Sequence, residues 1–346
     1  MSAESDFRFG FRVLGDCRQP RRLVDADAAL QGYAACDPQA EVDREAYLSA
    51  FQFAGDFREH LTATGSTAGF SGPCWAAWLW FDIDRENDLP AALHDTRRSC
   101  TATADGLGIA EDDLLLFLSG GKGFHLGIPT STWGPTPGPN FHKTARRFAE
   151  RLAERAGVAI DTGVYDKVRC FRAPNSKHPR TGLHKRRLSA GELMNWTANA
   201  ILTHASKPAE FALPCPTYTT PGAVALWAEA AQLVASEANA RAGRVAVGNG
   251  AATLNKLTLA FIRDGADKGD RHRLTYSAAA NLGELGAPLA PAVALLTEAA
   301  LDSGLPPADA RRAIENGWHS VQPDVRPACE VFGGAVVAVE PAGGAG

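Results

Sequence analysis

Asp82 and Asp84, one residue apart, close a strongly apolar run, Trp78-Leu79-Trp80-Phe81. Side chains of an extended strand alternate with a period of two, so both carboxylates emerge on one face, roughly 7 Å apart. Two carboxylates in an apolar setting repel each other unless a cation lies between them. A second apolar run, Leu114 to Leu118, leads into Ser119-Gly120-Gly121-Lys122-Gly123-Phe124-His125. Glycines in that turn let backbone amides approach phosphate oxygens, and Ser119 and His125 add hydrogen-bond donors. It is not a Walker-type phosphate loop, because Lys122 is followed by glycine and the leading spacing differs. A third group opens at Asp161, the candidate third carboxylate, with Asp166 as the alternative. From Lys167 to Arg187 there are eight basic residues and no acid: Lys167, Arg169, Arg172, Lys177, Arg180, Lys185, Arg186 and Arg187. In a chain of formal net charge −4 this is a marked local asymmetry.

Three converging acids can hold two divalent ions about 3.5–4 Å apart, the arrangement that assists an in-line displacement at phosphorus. Hard carboxylate ligands favour Mg2+ or Mn2+. Arg169, Arg172 and Lys177 can neutralise the remaining triphosphate charge, the arginines by two-point contact. The seven cysteines are scattered and none forms a CxxC pair, so zinc is not expected and free thiols are.

The segments Phe81-Asp82-Ile83-Asp84, Ser119 to His125, and Asp161-Thr162-Gly163-Val164-Tyr165 through Arg169-Cys170-Phe171-Arg172-Ala173-Pro174-Asn175-Ser176 resemble the three motifs of the archaeo-eukaryotic primase superfamily, nearest its primase-polymerase branch. The resemblance spans roughly residues 40–205. It implies that Asp82, Asp84 and Asp161 hold the metals. Ser119, Gly121, Lys122, Gly123 and His125 would meet the incoming nucleotide, with Arg169, Arg172, Ser176 and Lys177 nearby. The implied fold is α+β, an RRM-like sheet joined to a smaller α/β unit, followed by an all-α domain. Gly269-Asp270-Arg271-His272-Arg273, Ala278-Ala279-Ala280 and Gly304-Leu305 are similar to the helical domain that follows such primases on plasmids and phages. The chain departs from fuller members in having neither a Cys/His zinc module nor a helicase motor. Unwinding would then fall to a separate helicase, with single-stranded DNA template, primer and NTP or dNTP as the other partners.

The elements that must position these groups are strands at Trp78–Asp84, Leu114–Leu118 and Val158–Asp161, and helices over about 89–104 and 140–156. Pro90 suits the first turn of the former, and Gly157 caps the latter. Tyr47, Phe51, Ala54 and Phe57 recur at helical spacing, which predicts a helix over about 40–61. Residues 1–40 read as irregular, and Ser189–Thr203 as helical. At 346 residues two domains are expected. These are a catalytic region over 1–206, a proline-rich linker at 207–221, a helical accessory domain over 222–330 and a flexible tail at 331–346.

Composition is that of a soluble globular chain, 45% hydrophobic and 21% charged. No apolar run approaches the roughly 20 residues that span a bilayer, and the first residues carry no basic-then-apolar leader, so a cytoplasmic location without membrane attachment is expected. The leading functional expectation is a template-directed nucleotidyltransferase. The alternatives are a catalytically idle single-strand-binding module, disfavoured because carboxylates beside the strand aromatics repel a phosphate backbone, and a DxD glycosyltransferase, which leaves the basic stretch unexplained.

Overall fold

The computed structural model describes residues 6–246, 254–267 and 269–321, with the side chains of 240–246 not described. The chain divides into two compact units, Met1–Ala238 and Asn239–Gly346.

In the first unit the elements run β1 (Phe9–Leu14), β2 (Arg22–Asp25), α1 (Ala26–Ala34), β3 (Ala46–Ser49), β4 (Gln52–Phe53), α2 (Gly55–Thr64), β5 (Cys74–Trp75) and β6 (Trp78–Asp84). They continue with α3 (Leu89–Leu107), β7 (Leu115–Leu118), β8 (Gly123–Pro129), α4 (Phe141–Ala156), β9 (Cys170–Arg172), β10 (Arg186–Leu188), α5 (Ala190–Asn195), α6 (Ala198–His204) and α7 (Pro221–Ala246). The strands form two antiparallel sheets. In one, β2 occupies one edge of β1 while β3 and β4 share the other, with β5 beside β4 and β9 beside β3. The other has the order β10-β7-β8-β6.

The second sheet explains the apolar runs of the sequence. Leu79, Phe81 and Ile83 on one face of β6 are buried, as helix-covered strand faces require. Helices α3 and α4 pack on this sheet and on each other. Asp88 caps α3 by accepting from the Ala91 N–H, and Gly108 ends it at φ 69°; Gly106 lies inside the helix. Gly157 ends α4 at φ 62°, the left-handed conformation that glycine adopts without strain. On the other face of β6, Trp80 meets Phe171 of β9, with ring centroids 5.0 Å apart. The two sheets therefore close on each other at β6 and β9.

Three expectations are corrected. Residues 9–14, 22–25 and 26–34, read as irregular, form β1, β2 and α1. The helix expected over 40–61 is two short strands and the helix α2. Tyr47 and Leu48 pair with β9, Phe53 pairs with Phe9, and the register slips by two residues between Leu48 and Phe53. That slip imitates helical spacing among the aromatics. The helical span 189–203 is two short helices, α5 and α6, parted at Trp196.

A fourth correction concerns the domain boundary, expected at the proline-rich stretch. The first half of α7 belongs to the first unit, because Ala223, Leu226 and Ala230 are buried and Trp227 lies against Trp133, Phe141 and Phe148. Aromatic packing of that area outweighs the break suggested by the prolines. The second unit contains α8 (Lys256–Asp264), α9 (Arg271–Glu284), α10 (Leu289–Asp302) and α11 (Pro307–His319) around a core of Phe261, Ala279, Leu296 and Ile314. The expected tail at 331–346 lies outside the described residues. No described helix is long and apolar enough to cross a membrane.

Candidate active site

Antiparallel pairing sets the site in two cross-strand rows. Asp82 of β6 stands opposite His125 of β8, which stands opposite Phe117 of β7. Asp84 stands opposite Gly123, and the Ser119 N–H donates to the Gly123 carbonyl at 2.9 Å. The expected strand pair of β6 and β7 is thus divided by β8, which brings His125 between Asp82 and Phe117. On this face β8 presents Gly123, His125 and Gly127. A Cβ at Gly123 would collide with the Asp84 carboxylate and the Ile83 carbonyl, and one at Gly127 would lie 2.7 Å from the Trp80 ring. The glycines on either side of His125 make room for an acid and an indole.

Asp161 reaches the same place by another route. Beyond Gly157 the chain runs back along β6, and the Asp161 N–H donates to the Asp82 carbonyl at 2.9 Å. Instead of ending a strand, as expected, Asp161 caps a 3₁₀ turn over Thr162–Tyr165, accepting from the Gly163 N–H at 2.8 Å. The Tyr165 hydroxyl fixes that turn by donating to the Trp80 carbonyl at 2.7 Å.

A pocket of about 230 Å³ between the sheets is lined by Asp82, Asp84 and Asp161 together with Ser119, Gly121, Lys122, His125, Arg169 and Arg172. Gly123 contributes by leaving space for Asp84. Two expected residues are not brought in. The Ser176 hydroxyl is buried and donates to the Ala46 and Ala173 carbonyls, a structural use that leaves nothing for a ligand. Lys177 lies outside the lining, its stem near Gly182, and Asp166, the alternative acid, also lies outside.

Burial raises the Asp82 carboxyl to about 7, and repulsion from Asp84 and Asp161 adds to the rise. Asp82 Oδ1 is buried without a hydrogen-bond partner; His125 Nε2 faces it at 3.5 Å. Burial, with Lys185 and Arg172 nearby, pushes the His125 imidazole well below its ordinary value, so at neutral pH it is uncharged. Its ring packs on Phe171 with centroids 4.0 Å apart. Lys122 Nζ lies 3.1 Å from Asp84 Oδ2, an exposed pair that contributes little to stability. Arg172 donates to the Tyr47 hydroxyl at 3.0 Å, while its Nη1 is buried without a partner.

Sequence reasoning missed Tyr47, Val164, Cys170, Phe171 and His178, which also line the pocket. It also gave no role to Lys185, which is fully buried. Lys185 Nζ lies 4.1, 4.7 and 4.8 Å from the ring centroids of Phe171, Trp80 and Phe117 and donates to the Arg172 carbonyl at 2.8 Å. Lys185 was counted in the basic run, and His178 lies within the same run, but linear spacing gave neither a specific role.

Among the described residues no three His, Cys, Asp or Glu side chains stand close enough together to hold one metal ion. No protein-family model matches the chain, and no curated protein matches it. Among solved structures it is similar to the crystal structure of primase RepB′, at 15% identity over 95% of each chain, with a TM-score of 0.35.

Proposed function

We propose that this chain is a template-directed nucleotidyltransferase of the primase-polymerase kind, joining nucleoside triphosphates to a 3′ hydroxyl with release of pyrophosphate. The observation that carries the reading is convergence. Three segments far apart in sequence, each resembling a motif of the archaeo-eukaryotic primases, line one pocket, with acids from β6 and the 3₁₀ turn and bases from the glycine turn and β9.

On this reading the acidic side would take Mg2+ or Mn2+ with substrate phosphate oxygens completing each shell, since no three described His, Cys, Asp or Glu side chains gather about one ion position. Asp82 Oδ1 is buried without a partner, and Asp82 and Asp84 project from one strand face, so a divalent cation would relieve both the repulsion and the unmet acceptor. Asp82, Asp84 and Asp161 would hold the ions, which when bound activate the attacking hydroxyl and stabilise the leaving phosphate. Lys122, now paired with Asp84, is free to turn toward the triphosphate once that carboxylate has another cation. Arg169, Arg172 and Ser119 supply donors to the phosphates, and the amides of the glycine turn approach them closely. His125, uncharged and packed on Phe171 beside Asp82, brings its single N–H as a donor on the pocket floor.

The idle-binding alternative would need aromatics free to stack on bases. Trp78, Trp80 and Phe81 are all buried, and Trp80 is committed to Lys185 and Phe171.

The test incubates the full chain with single-stranded DNA, unprimed or primed, and labelled NTPs or dNTPs with Mg2+ or Mn2+. Metal-dependent incorporation that stops on chelation is expected. Single-strand binding without incorporation of any nucleotide would favour the idle module. Turnover of a sugar nucleotide with none of dNTPs would favour the glycosyltransferase.

A further inference from the structure

Between Lys177 and His184 the chain doubles back. These two residues form an isolated antiparallel bridge. The His178 N–H donates to the Leu183 carbonyl at 2.7 Å, and the Gly182 N–H to the His178 carbonyl at 2.9 Å. This small hairpin leans on the glycine turn that joins β7 to β8. The Thr181 hydroxyl donates to the Gly120 carbonyl at 2.5 Å. A Cβ at Gly120 would come within 3.2 Å of the His178 Cβ, and one at Gly121 within 3.2 Å of His178 Nε2. The two consecutive glycines thus admit an imidazole against the turn, in addition to freeing its backbone.

The tautomer of that imidazole follows from its neighbours. His178 Nδ1 lies 3.3 Å from the backbone N–H of Arg180 and also from that of Thr181. Both groups can only donate, so Nδ1 is the acceptor and the proton of the neutral ring sits on Nε2. Burial, reinforced by Arg172 and Arg180, lowers the ring's proton affinity and keeps it neutral. Nε2 has no hydrogen-bond partner among the described residues and lies at Gly121, in the pocket that Ser119 and Arg172 also line. Arg172 Nη1 is a second donor in that lining left without an acceptor. An open imidazole N–H and a buried guanidinium N–H without an acceptor, both lining one pocket, suit a ligand rich in acceptors.

We propose that His178 is a phosphate-binding residue, its Nε2–H completing a cradle for a polyphosphate tail, and that the latch from Thr181 to Gly120 holds this hairpin and the glycine turn in register. The inference rests on the nucleotidyltransferase reading and assigns that reading's substrate tail a donor that neither motif spacing nor charge had indicated. A neutral donor suits the position, because it grips phosphate oxygens without adding a cation that would compete for Asp84.

The test measures displacement of a fluorescent nucleoside triphosphate from the full chain by dATP, inorganic tripolyphosphate and AMP, with Mn2+ present. His178→Ala is expected to weaken dATP and tripolyphosphate about tenfold each, the loss of one hydrogen bond to a charged acceptor, and AMP less than twofold. His178→Gln, which can offer an N–H from nearly the same place, should recover most of that affinity. His178→Phe, a ring without a donor, should not, and this pair decides the matter should the alanine variant fail to fold. Wild-type binding of dATP with no loss in His178→Ala or His178→Phe overturns the inference and leaves the nucleotidyltransferase reading standing. Equal losses for AMP and dATP overturn it too, because a merely structural role would not single out the polyphosphate. If the wild type binds neither dATP nor tripolyphosphate, both readings fall together.

Discussion

Asp82→Asn is expected to lower nucleotide incorporation by more than about 10³-fold, the scale on which loss of a charge-stabilising group in a water-poor site acts, and at the same time to raise stability. The second half follows from the position of Asp82. Its carboxyl, buried and beside Asp84 and Asp161, is raised to about 7 from an ordinary 3.8. A carboxyl raised on folding contributes stability that is whole below its unfolded value and is lost as pH rises through its folded one. Between pH 3.8 and 7 the fold therefore gives up as much as about 4 kcal/mol in ionising this one group. Asparagine keeps the shape and removes the charge. Thermal unfolding in chelator at pH 8 should show Asp82→Asn melting at least about 3 °C above the wild type, with the gap narrowing toward pH 5. Mn2+ should raise the wild-type midpoint and leave that of Asp82→Asn nearly unchanged. A variant that keeps incorporation refutes the assignment of the acid, and one that melts lower than the wild type makes Asp82 a structural residue. An inactive but stabilised protein is the signature of a group retained for its chemistry.

What the sequence made legible here, and what it hid, divides along physical lines. Leu79, Phe81 and Ile83 had to be buried and Asp82 and Asp84 had to share a face, because a strand offers no other periodicity. The helices ending at Gly108 and Gly157 announced themselves by their caps. The helical character expected of the C-terminal region appears in α8 to α11. The partnership of Asp82 with His125 was not legible, since it depends on β8 entering between β6 and β7, and register is a property of pairing and not of either strand alone. Asp161, grouped with the acids, lines the same pocket as Asp82 and Asp84 but caps a 3₁₀ turn instead of ending a strand. In Asp161-Thr162-Gly163 the carboxylate accepts from the backbone two residues on, an Asx-type turn whose sequence signal was on the page. Ser176 and Lys177 were drawn in by their place in a motif, yet the chain spends the Ser176 hydroxyl on two carbonyls and sends the lysine stem toward Gly182. Tyr47 was lost to a coincidence. The register slip between Leu48 and Phe53 lets its aromatics imitate a helix. His178 and Lys185 act by what lies against them, and linear spacing carries no such information.

Lys185 supplies the largest loss of stability expected of a substitution. A fully buried lysine is costly to desolvate, and burial pushes its ammonium well down from the ordinary value while Asp82 opposes that shift. Three ring faces at 4.1–4.8 Å and the Arg172 carbonyl at 2.8 Å are what hold it there. Lys185→Ala removes the stem from between Trp80, Phe117 and Phe171 and strands the Arg172 carbonyl. It is expected to cost about 2–4 kcal/mol, the range for a large-to-small change in a packed core. Lys185→Met fills the same space without a charge and should cost less than about 1.5 kcal/mol. Urea unfolding followed by tryptophan fluorescence is suited to the comparison, because Trp75, Trp78, Trp80, Trp133, Trp196 and Trp227 all lie in the first unit and only Trp318 in the second. Equal midpoints for the two variants would mean that the cage carries no packing. Incorporation should separate them in the same order, since Phe171, freed on one side by alanine, is the surface on which His125 rests. Methionine keeps that surface in place, so a variant that folds as well as the wild type yet loses activity with methionine would assign the ammonium itself, and not its bulk, to the upkeep of Asp82.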